Sequence, residues 1–574
     1  MNLLDGTRVL AFRDAHDTPL ARFLRDLGAD VQRCDSALRA EELAAADLLV
    51  ENLGLARIEE TGLSRAAIEG ANPRLVHVSV STFGSTGPRR DWRGSELVAS
   101  AMGGILRLCG DIDRPPVKEA LDACGFHADM VAAVGALAAL AERRRSGLGQ
   151  HVDVSTQEVA FSRNVNGVLV WQFDRRLLGR AGGALNYGRA TVRCIWALKD
   201  GYCFHSLMTG RFGAPANQGL SDWMDACGAD NPLRNVDWTT YNRSTLDPVT
   251  REHWEAAIAA FFRTRTRAEI NDEGRRRGIN ATVVAAPADV LADPHLEARG
   301  FWRTTPAGRE PGRFLRVQRA PQPSLPPGER VFDAARGPLS GVRILDFSWA
   351  LVGSITTKTL GDLGAEVVKL ESRTRPCLSR LDVQVSASRA GNFDDKPWFS
   401  HLNTSKLSLS LDLKQPRSRE LLEPLIDWAD VVVENFSPGT LEKLGLDYPR
   451  LAARNPGLVM VSGSVFGQTG PLAQSWGVDG TGAALSARTY LTGWPDRDPV
   501  IPSAAPYGDV ILPFAMAAAV IAALEHRHAH QRGCHIDASM YELCVQQMRE
   551  AFTNGGLQAG RHGNADPGVY HQGV

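Results

Sequence analysis

The 574-residue chain contains an internal repeat, and this repeat constrains its fold more than any other feature. Residues 47–96 align without a gap with residues 430–479. Turn residues stay in register, because the TGP of residues 86–88 falls on the TGP of residues 469–471. Chance does not produce an ungapped match of this length with its turns aligned. The sequence therefore predicts two copies of one module, here called copy one and copy two.

Each copy shows short apolar runs that alternate with helical segments. In copy two the predicted strands are residues 342–347, 365–370, 430–434 and 458–462. Alternation of strand and helix predicts an α/β fold, with an open, mostly parallel, Rossmann-like sheet in each copy. Ligands bind such sheets at the carboxyl ends of the strands. The loops expected at the site follow Phe347, Leu370, Glu434 and Ser464.

Copy one continues into a segment that copy two lacks. Strand-like runs near residues 194–198 and 202–205, then a helical stretch near residues 252–262, predict a smaller α+β domain. The predicted division is residues 1–191 for the large domain of copy one, 192–310 for the small domain, 311–338 for a return segment and linker, and 339–574 for the large domain of copy two. The Pro-rich residues 321–328 are expected to form an extended connector. Because copy two ends at Val574 without a small domain, we expect the chain to be incomplete.

Composition excludes several classes of function. The chain has 64 Lys+Arg and 65 Asp+Glu, and this balance argues against a nucleic-acid or acidic-membrane partner. It has no uninterrupted run of 18 apolar residues and no signal peptide at its start. The nine cysteines form no CxxC pair, so we expect reduced thiols, a cytoplasmic location and no structural metal site. The four histidines of residues 526–535 are expected to lie at a solvated helix end.

Motifs in copy two carry a specific resemblance. They are GVRILDF at 341–347, DLGAEVVKLE at 362–371, VENFSPG at 433–439 and FGQTGP at 466–471. With these motifs the chain resembles the family III CoA-transferases, which include formyl-CoA and carnitine CoA-transferases and acyl-CoA racemases. The resemblance implies an interlocked pair of copies, with the active site between one large domain and the small domain of the other. Here both copies lie in one chain, as in fused members of the family, so we expect an intramolecular pseudo-dimer. Whether two such chains associate further is left open.

The resemblance implies that Asp509, which follows Gly508 and precedes an apolar helix, is the catalytic residue. In the family this carboxylate attacks an acyl-CoA thioester, and the acyl-aspartyl anhydride that forms leads to an aspartyl-CoA thioester. Coenzyme A is then a substrate, and no tightly bound cofactor or metal is expected. Asp129 is matched with Asp509 in the sequence, but it follows Ala128, and the long segment at residues 372–429 of copy two is shortened in copy one. We therefore expect Asp129 to cap a helix and copy two to be the catalytic half.

Contacts with coenzyme A are likewise implied by the resemblance, position by position. They are Ala350, Leu351, Leu411, Lys414, Asn435, Phe436, Lys443, Leu444 and Met540. Lys414 and Lys443 are the expected phosphate partners. The racemases place a catalytic histidine where Val478 stands, and valine cannot move a proton.

Two other functions stay open alongside CoA transfer. One is a lyase, isomerase or racemase acting on CoA esters, and the other is a non-catalytic CoA-binding scaffold. Trp476, Tyr490 and Trp494 are candidate linings of an acyl pocket, which would suit an acid with a bulky or cationic tail. Asp479 and Glu96, which match each other across the repeat, are expected to have a structural role.

Overall fold

A computed structural model describes residues 2–35, 40–187, 190–306, 308–320, 332–381, 393–502, 506–553 and 560–565. The Pro-rich connector predicted at residues 321–328 lies outside these residues.

The large domain of copy one contains a five-stranded parallel sheet. Its strands are β1 (Arg8–Phe12), β2 (Asp30–Cys34), β3 (Leu48–Glu51), β4 (Val76–Ser81) and β5 (His151–Ser155). Its helices are α1 (Pro19–Asp26), α2 (Ala40–Ala45), α3 (Leu55–Glu60), α4 (Arg65–Ala71), α5 (Glu96–Met102), α6 (Ala123–Ser146), α7 (Thr156–Arg163) and α8 (Val165–Asp174). The strand order is β2-β1-β3-β4-β5, and every pairing is parallel.

A smaller α+β region follows. Its strands are β6 (Ala184–Tyr187), β7 (Ala190–Arg193), β8 (Ile195–Ala197), β9 (Tyr202–His205), β10 (Ala281–Val283), β11 (Trp302–Thr305) and β12 (Gly308–Pro311). Its helices are α9 (Gly210–Ala226), α10 (Pro248–Phe262), α11 (Arg267–Arg277), α12 (Pro287–Leu291) and α13 (Pro294–Ala298). Strands β10, β9 and β8 form an antiparallel sheet, and the helices pack around a core rich in tryptophan.

The large domain of copy two contains a seven-stranded sheet. Strand β13 (Arg316–Arg319) precedes β14 (Arg343–Asp346), β15 (Glu366–Glu371), β16 (Leu407–Ser410), β17 (Val431–Glu434), β18 (Val459–Ser464) and β19 (Cys534–Ser539). The helices are α14 (Val352–Asp362), α15 (Leu378–Leu381), α16 (Pro397–Leu402), α17 (Pro416–Trp428), α18 (Thr440–Lys443), α19 (Tyr448–Arg454), α20 (Asp479–Leu485), α21 (Arg488–Leu491), α22 (Tyr507–His530) and α23 (Met540–Gln547). The strand order is β13-β19-β18-β17-β14-β15-β16.

The predicted α/β fold with two parallel sheets is confirmed. The side chains of Val431, Val432 and Val433 in β17 are all fully buried, as expected for a strand that helices cover on both faces. The segment at residues 372–429 adds β16 to the edge of the copy-two sheet, parallel to β15. In the described part of copy one, the five-stranded sheet has no equivalent of this strand.

The two large domains are joined through their longest helices. Helices α6 and α22 pack against each other, and one apolar core contains residues of both sheets. Both helices are rich in alanine, so their backbones lie close together. By length and composition each could cross a membrane, but 89% of each apolar window is buried inside the protein.

The small domain docks on copy two through buried charges. Arg299 donates to Glu542 (Nε to Oε1, 2.5 Å) and to Asp537 (Nη1 to Oδ2, 3.1 Å), and its side chain is fully buried. His295 Nε2 lies 2.9 Å from the carbonyl oxygen of Phe466. Helix α13 and the residue that follows it are thus held against the carboxyl end of the copy-two sheet.

Among the described residues, no domain docks on the corresponding surface of copy one. Asp153 and Glu158 occupy the positions that Asp537 and Glu542 occupy in copy two, and both are exposed. Strand β13 pairs antiparallel with β19, whereas no strand among the described residues pairs with the outer edge of β5. In their described residues, the two copies therefore differ in the domain and the strand that pack against them, as well as in sequence.

We predict that Arg299→Ala destabilises the protein by about 3–5 kcal/mol, because the variant leaves two buried carboxyl groups without their cation. The matched control is Arg309→Ala, which removes an exposed ion pair with Glu297 and should cost about 0–1 kcal/mol. Urea unfolding followed by tryptophan fluorescence measures both. Equal losses in the two variants would show that the buried ion pairs do not hold the small domain.

Candidate active site

A cavity of about 390 Å³ lies between the copy-two sheet and the small domain. Loops after β14, β17 and β18 form one wall, at the carboxyl ends of the strands. From these loops come Trp349, Ala350, Leu351, Asn435, Phe436, Ser464 and Val465. Copy one supplies the facing wall, with Asn166, Tyr187, Phe204, Met208, Phe212 and Arg243 among its residues. The cavity is therefore built by both copies, at the edge of the sheet where α/β proteins bind ligands.

Asp509 lines this cavity from the first turn of α22, and its side chain is half-buried. Asp479, at the first position of α20, lies beside it and also lines the cavity. Asp479 Oδ1 accepts hydrogen bonds from the backbone N–H groups of Gly508 (2.5 Å) and Asp509 (3.3 Å). The carboxylate of Asp479 thus binds the N-terminal end of α22, the helix that carries Asp509.

The two carboxyl groups perturb each other. Burial raises the pKa of Asp509 well above its ordinary value, and the neighbouring charge of Asp479 raises it further. Burial also raises the pKa of Asp479. The charge of Arg488 and the backbone N–H groups that donate to Asp479 lower this pKa. The negative charge is therefore better supported on Asp479 than on Asp509. A paired, partly desolvated carboxyl in a cavity is typical of a functional site.

The sequence match of Asp129 with Asp509 is wrong. Helices α6 and α22 each have 24 residues, and the third position is Gly125 in one and Asp509 in the other. Glu96 accepts from Cys124 N as Asp479 accepts from Gly508 N, and this confirms the register. A Cβ on Gly125 would lie 2.2 Å from Asp122 Oδ2, so the carboxylate of Asp122 fills the space.

Asp129 lies one helical turn farther along α6 and does not cap it. The N-cap is Asp122, whose side chain accepts from Gly125 N. Asp129 is buried and its Oδ2 accepts from Leu20 N at 3.0 Å, and burial raises its pKa to about 7. At the position that Asp509 holds in copy two, copy one therefore has glycine, with the carboxylate of Asp122 beside it.

Five of the residues predicted to contact coenzyme A line the cavity. They are Ala350, Leu351, Asn435, Phe436 and Met540. Asn435 fixes the loop after β14, because its side chain accepts from Trp349 N and donates to Trp349 O, both at 2.7 Å. The φ of 58° at Ala350 places this residue in the left-handed region within the same loop.

The other four residues predicted to contact coenzyme A lie outside the cavity lining. Leu411 and Leu444 are half-buried in the apolar cluster that also contains Phe436, whereas Lys414 and Lys443 are exposed. Their contact with coenzyme A stays a prediction.

Aromatic rings close one side of the cavity. Phe212 of the small domain lies between Trp349 and Trp476, with ring centroids 5.2 and 4.9 Å apart. Of the three aromatic residues predicted to line an acyl pocket, only Trp476 is part of the cavity wall. Tyr490 and Trp494 pack in neighbouring apolar clusters instead.

Sequence reasoning missed the buried cation of the cavity, Arg243. Arg243 is 3% exposed, and its Cζ lies 3.5 Å from the ring centroid of Tyr187, with Nη1 3.4 Å from Met208 Sδ. Arg375 lies at the rim over Trp349, with 5.5 Å between Cζ and the ring centroid. Arg243 lies in a segment without a recognisable motif, so only the fold brings it to the site.

Among the described residues that line the cavity there is no histidine or cysteine. Within the described part of the chain, no group of three or more His, Cys, Asp or Glu side chains could hold a metal ion. His526 and His530 lie in the last turns of α22, whereas His535 lies in β19 with its ring stacked on Tyr448. All nine cysteines are free thiols.

Comparison with known proteins identifies relatives. The chain is 28% identical to a probable CoA-transferase of Mycobacterium tuberculosis over 559 residues, which are 89% of this chain and 66% of the relative. It is 35% identical over 253 residues to the alpha subunit of succinyl-CoA–L-malate CoA-transferase of Chloroflexus aurantiacus (44% and 58% of the two chains). It is 33% identical over 262 residues to mouse succinyl-CoA:glutarate CoA-transferase (45% and 58%). The chain thus spans just under two thirds of the length of the mycobacterial relative and somewhat over half of the other two.

A solved structure, that of a CaiB/BaiF family protein from Brucella suis, is similar with a TM-score of 0.44 and 21% identity, over 52% of this chain and 89% of that chain. The model of CoA-transferase family III matches residues 38–330 and 339–574, one match in each copy. These matches cover most of the sequence, and the chain therefore belongs to CoA-transferase family III.

Proposed function

We propose that this protein transfers CoA from an acyl-CoA thioester to a carboxylic acid, with Asp509 as the nucleophile. The observation that carries the proposal is the half-buried Asp509 at the start of α22, in a cavity that both copies line. Membership of CoA-transferase family III and the names of the relatives support it. No tightly bound cofactor or metal takes part in the proposed reaction.

The proposed reaction divides one acyl transfer into steps on one carboxylate. Ionised Asp509 attacks the thioester carbonyl, the carbon–sulfur bond breaks, and an acyl-aspartyl anhydride and CoA thiolate form. The thiolate attacks the aspartyl carbonyl, which releases the donor acid and leaves an aspartyl-CoA thioester. The acceptor carboxylate attacks this thioester, the carbon–sulfur bond breaks, and an anhydride of Asp509 with the acceptor forms as CoA thiolate leaves. The thiolate then attacks the acceptor carbonyl of this anhydride, which gives the new acyl-CoA and releases the Asp509 carboxylate. The N-terminal end of α22 favours the negative charges that develop there.

The structure favours CoA transfer over racemisation. Val478 lines the cavity at the position where the resembling racemases carry a proton-transferring histidine. A valine side chain has no titratable group, so it supports no proton exchange at the α-carbon of a CoA ester. CoA transfer needs only a nucleophile on the protein and the carboxylate of the acceptor acid. Asp509, which lines the cavity, is the residue proposed as that nucleophile.

For the acceptor we propose an acid with a second anionic group. A buried guanidinium on the cavity wall, that of Arg243, suits a carboxylate and disfavours a cationic tail. The Chloroflexus and mouse relatives are named for L-malate and glutarate, each of which has two carboxyl groups.

We predict that Asp509→Asn lowers CoA transfer by about 10³-fold or more, because the amide is not a nucleophile for the thioester. Asp129→Asn, a buried carboxyl in the matching helix, is the control and should keep most of the activity. A coupled assay with succinyl-CoA and acetyl-CoA against a panel of carboxylic acids measures both, and intact mass spectrometry detects the covalent adduct. Acyl-CoA bound only noncovalently by the wild type would contradict transfer and favour the scaffold alternative.

Because the pKa of Asp509 is raised, we predict that activity increases with pH. The midpoint of this rising limb should lie above the ordinary aspartate pKa of about 4. Asp479→Asn removes the adjacent negative charge, which lowers the pKa of Asp509 and moves the limb to lower pH by about one unit. The profile of kcat/KM against pH measures this shift. An unmoved limb in Asp479→Asn, with the same profile as Asp129→Asn, would show that the two carboxyl groups are not coupled.

We predict that Arg243→Leu lowers kcat/KM for succinate relative to butyrate by about 10–100-fold, the range expected for one charge-assisted contact. The control is Arg211→Leu, because Arg211 is exposed and precedes Phe212 in α9. This variant should leave the ratio of kcat/KM for succinate to that for butyrate unchanged. Equal losses for succinate and butyrate in Arg243→Leu would assign this residue a structural role.

A further inference from the structure

Tyr507, the first residue of α22, is enclosed by two arginines. The Cζ of Arg488 lies 3.4 Å from the centroid of the ring, and that of Arg163 lies 5.1 Å from it. All three side chains are almost fully buried, with exposed fractions of 1% or less. Cations over an aromatic face are strongly held when they are desolvated, so the ring has little freedom to move.

A single carboxylate holds both arginines. Glu119 Oε2 accepts from Arg488 Nη2 at 2.6 Å and pairs with Arg163 Nη2 at 2.9 Å. Glu119 and Arg163 belong to copy one, whereas Arg488 and Tyr507 belong to copy two. Because buried guanidinium groups need a counter-charge, the position of both arginines depends on this residue of copy one.

The cluster acts on the turn that carries Asp509. The hydroxyl of Tyr507 donates to the carbonyl oxygen of Ala123, the first residue of α6, at 3.2 Å. Asp509 follows Tyr507 by two residues in the same helical turn. The starts of the two long helices are thus joined at the point where the cavity meets the interface between copies.

The residues of the cluster are not repeated at the matching positions of the other copy. The repeat places Ile105 opposite Arg488, Gln547 opposite Arg163 and Ala123 opposite Tyr507. The start of α6 therefore has no equivalent of Tyr507 or Arg488, and it has Gly125 where α22 has Asp509. Arg163 also reaches this turn, with Nη2 3.9 Å from Cys124 Sγ. Tyr507, Arg488 and Asp509 thus occur together in copy two, whereas copy one has Ala123, Ile105 and Gly125 at the matching positions.

We propose that Glu119, Arg163 and Arg488 are positioning residues that hold Tyr507 and, through it, the carboxylate of Asp509. Copy one would then contribute to transfer at the copy-two site through Glu119 and Arg163, which touch no substrate. The proposal rests on the proposed function, since it assigns a role around the same nucleophile.

The test compares Tyr507→Leu with Tyr507→Phe in the full chain. Tyr507→Phe keeps the ring between the arginines and should retain most of the rate. Tyr507→Leu removes the ring, and kcat should fall about 10–100-fold, because a small displacement of a reacting group has effects of this size. KM for the acyl-CoA should stay within about twofold, since Tyr507 does not line the cavity.

Glu119→Gln provides an independent variant should Tyr507→Leu fail to fold. It keeps an acceptor oxygen but removes the charge that both arginines share, and it should slow covalent adduct formation by a similar factor at unchanged KM. Glu119→Asp should restore part of the rate. Full activity in Glu119→Gln, or a parallel loss of kcat, binding and melting temperature, would overturn the proposal. An active Asp509→Asn would instead overturn the proposed function, whatever the Glu119 and Tyr507 variants show.

Discussion

The packing of α6 against α22 is the constraint on which the rest of the structure depends. These two alanine-rich helices join the cores of the two large domains into one. Their contact fixes where the small domain of copy one lies relative to the sheet of copy two, and so creates the cavity. Small side chains make the approach possible, because a larger residue in either helix would separate the backbones and widen the space between the copies.

The division of labour between the copies is visible in single residues. Copy two has the nucleophile candidate, the loops at the strand ends and the extra strand β16. Copy one has Gly125 at the matching position but supplies the small domain, Arg243 and the carboxylate of Glu119. Copy one, which has Gly125 where copy two has the nucleophile candidate, therefore still supplies surfaces that complete the cavity of its neighbour.

Much of the fold follows from the sequence, and the failures have physical causes. The buried strands and the repeat are local patterns, so the α/β architecture and the strand-end loops could be predicted. A shift of four residues is about one helical turn and keeps the apolar pattern of α6 in register, so the sequence alone does not distinguish Asp129 from Gly125 as the counterpart of Asp509. Arg243 and Phe212 could not be placed at the site, because nothing local indicates which face of the small domain meets copy two.

Strand β13 belongs to copy one in the order of the chain but to copy two in the order of the sheet, where it pairs with β19. The boundary between the repeats is therefore not a boundary between folding units. A cut made between them leaves a first fragment that keeps the closing strand and a second fragment whose sheet has lost it. The first fragment could then donate strand β13 to the sheet of the second, as in complementation between two pieces of one fold. Copy two expressed alone would expose an unpaired edge at β19 and an open cavity.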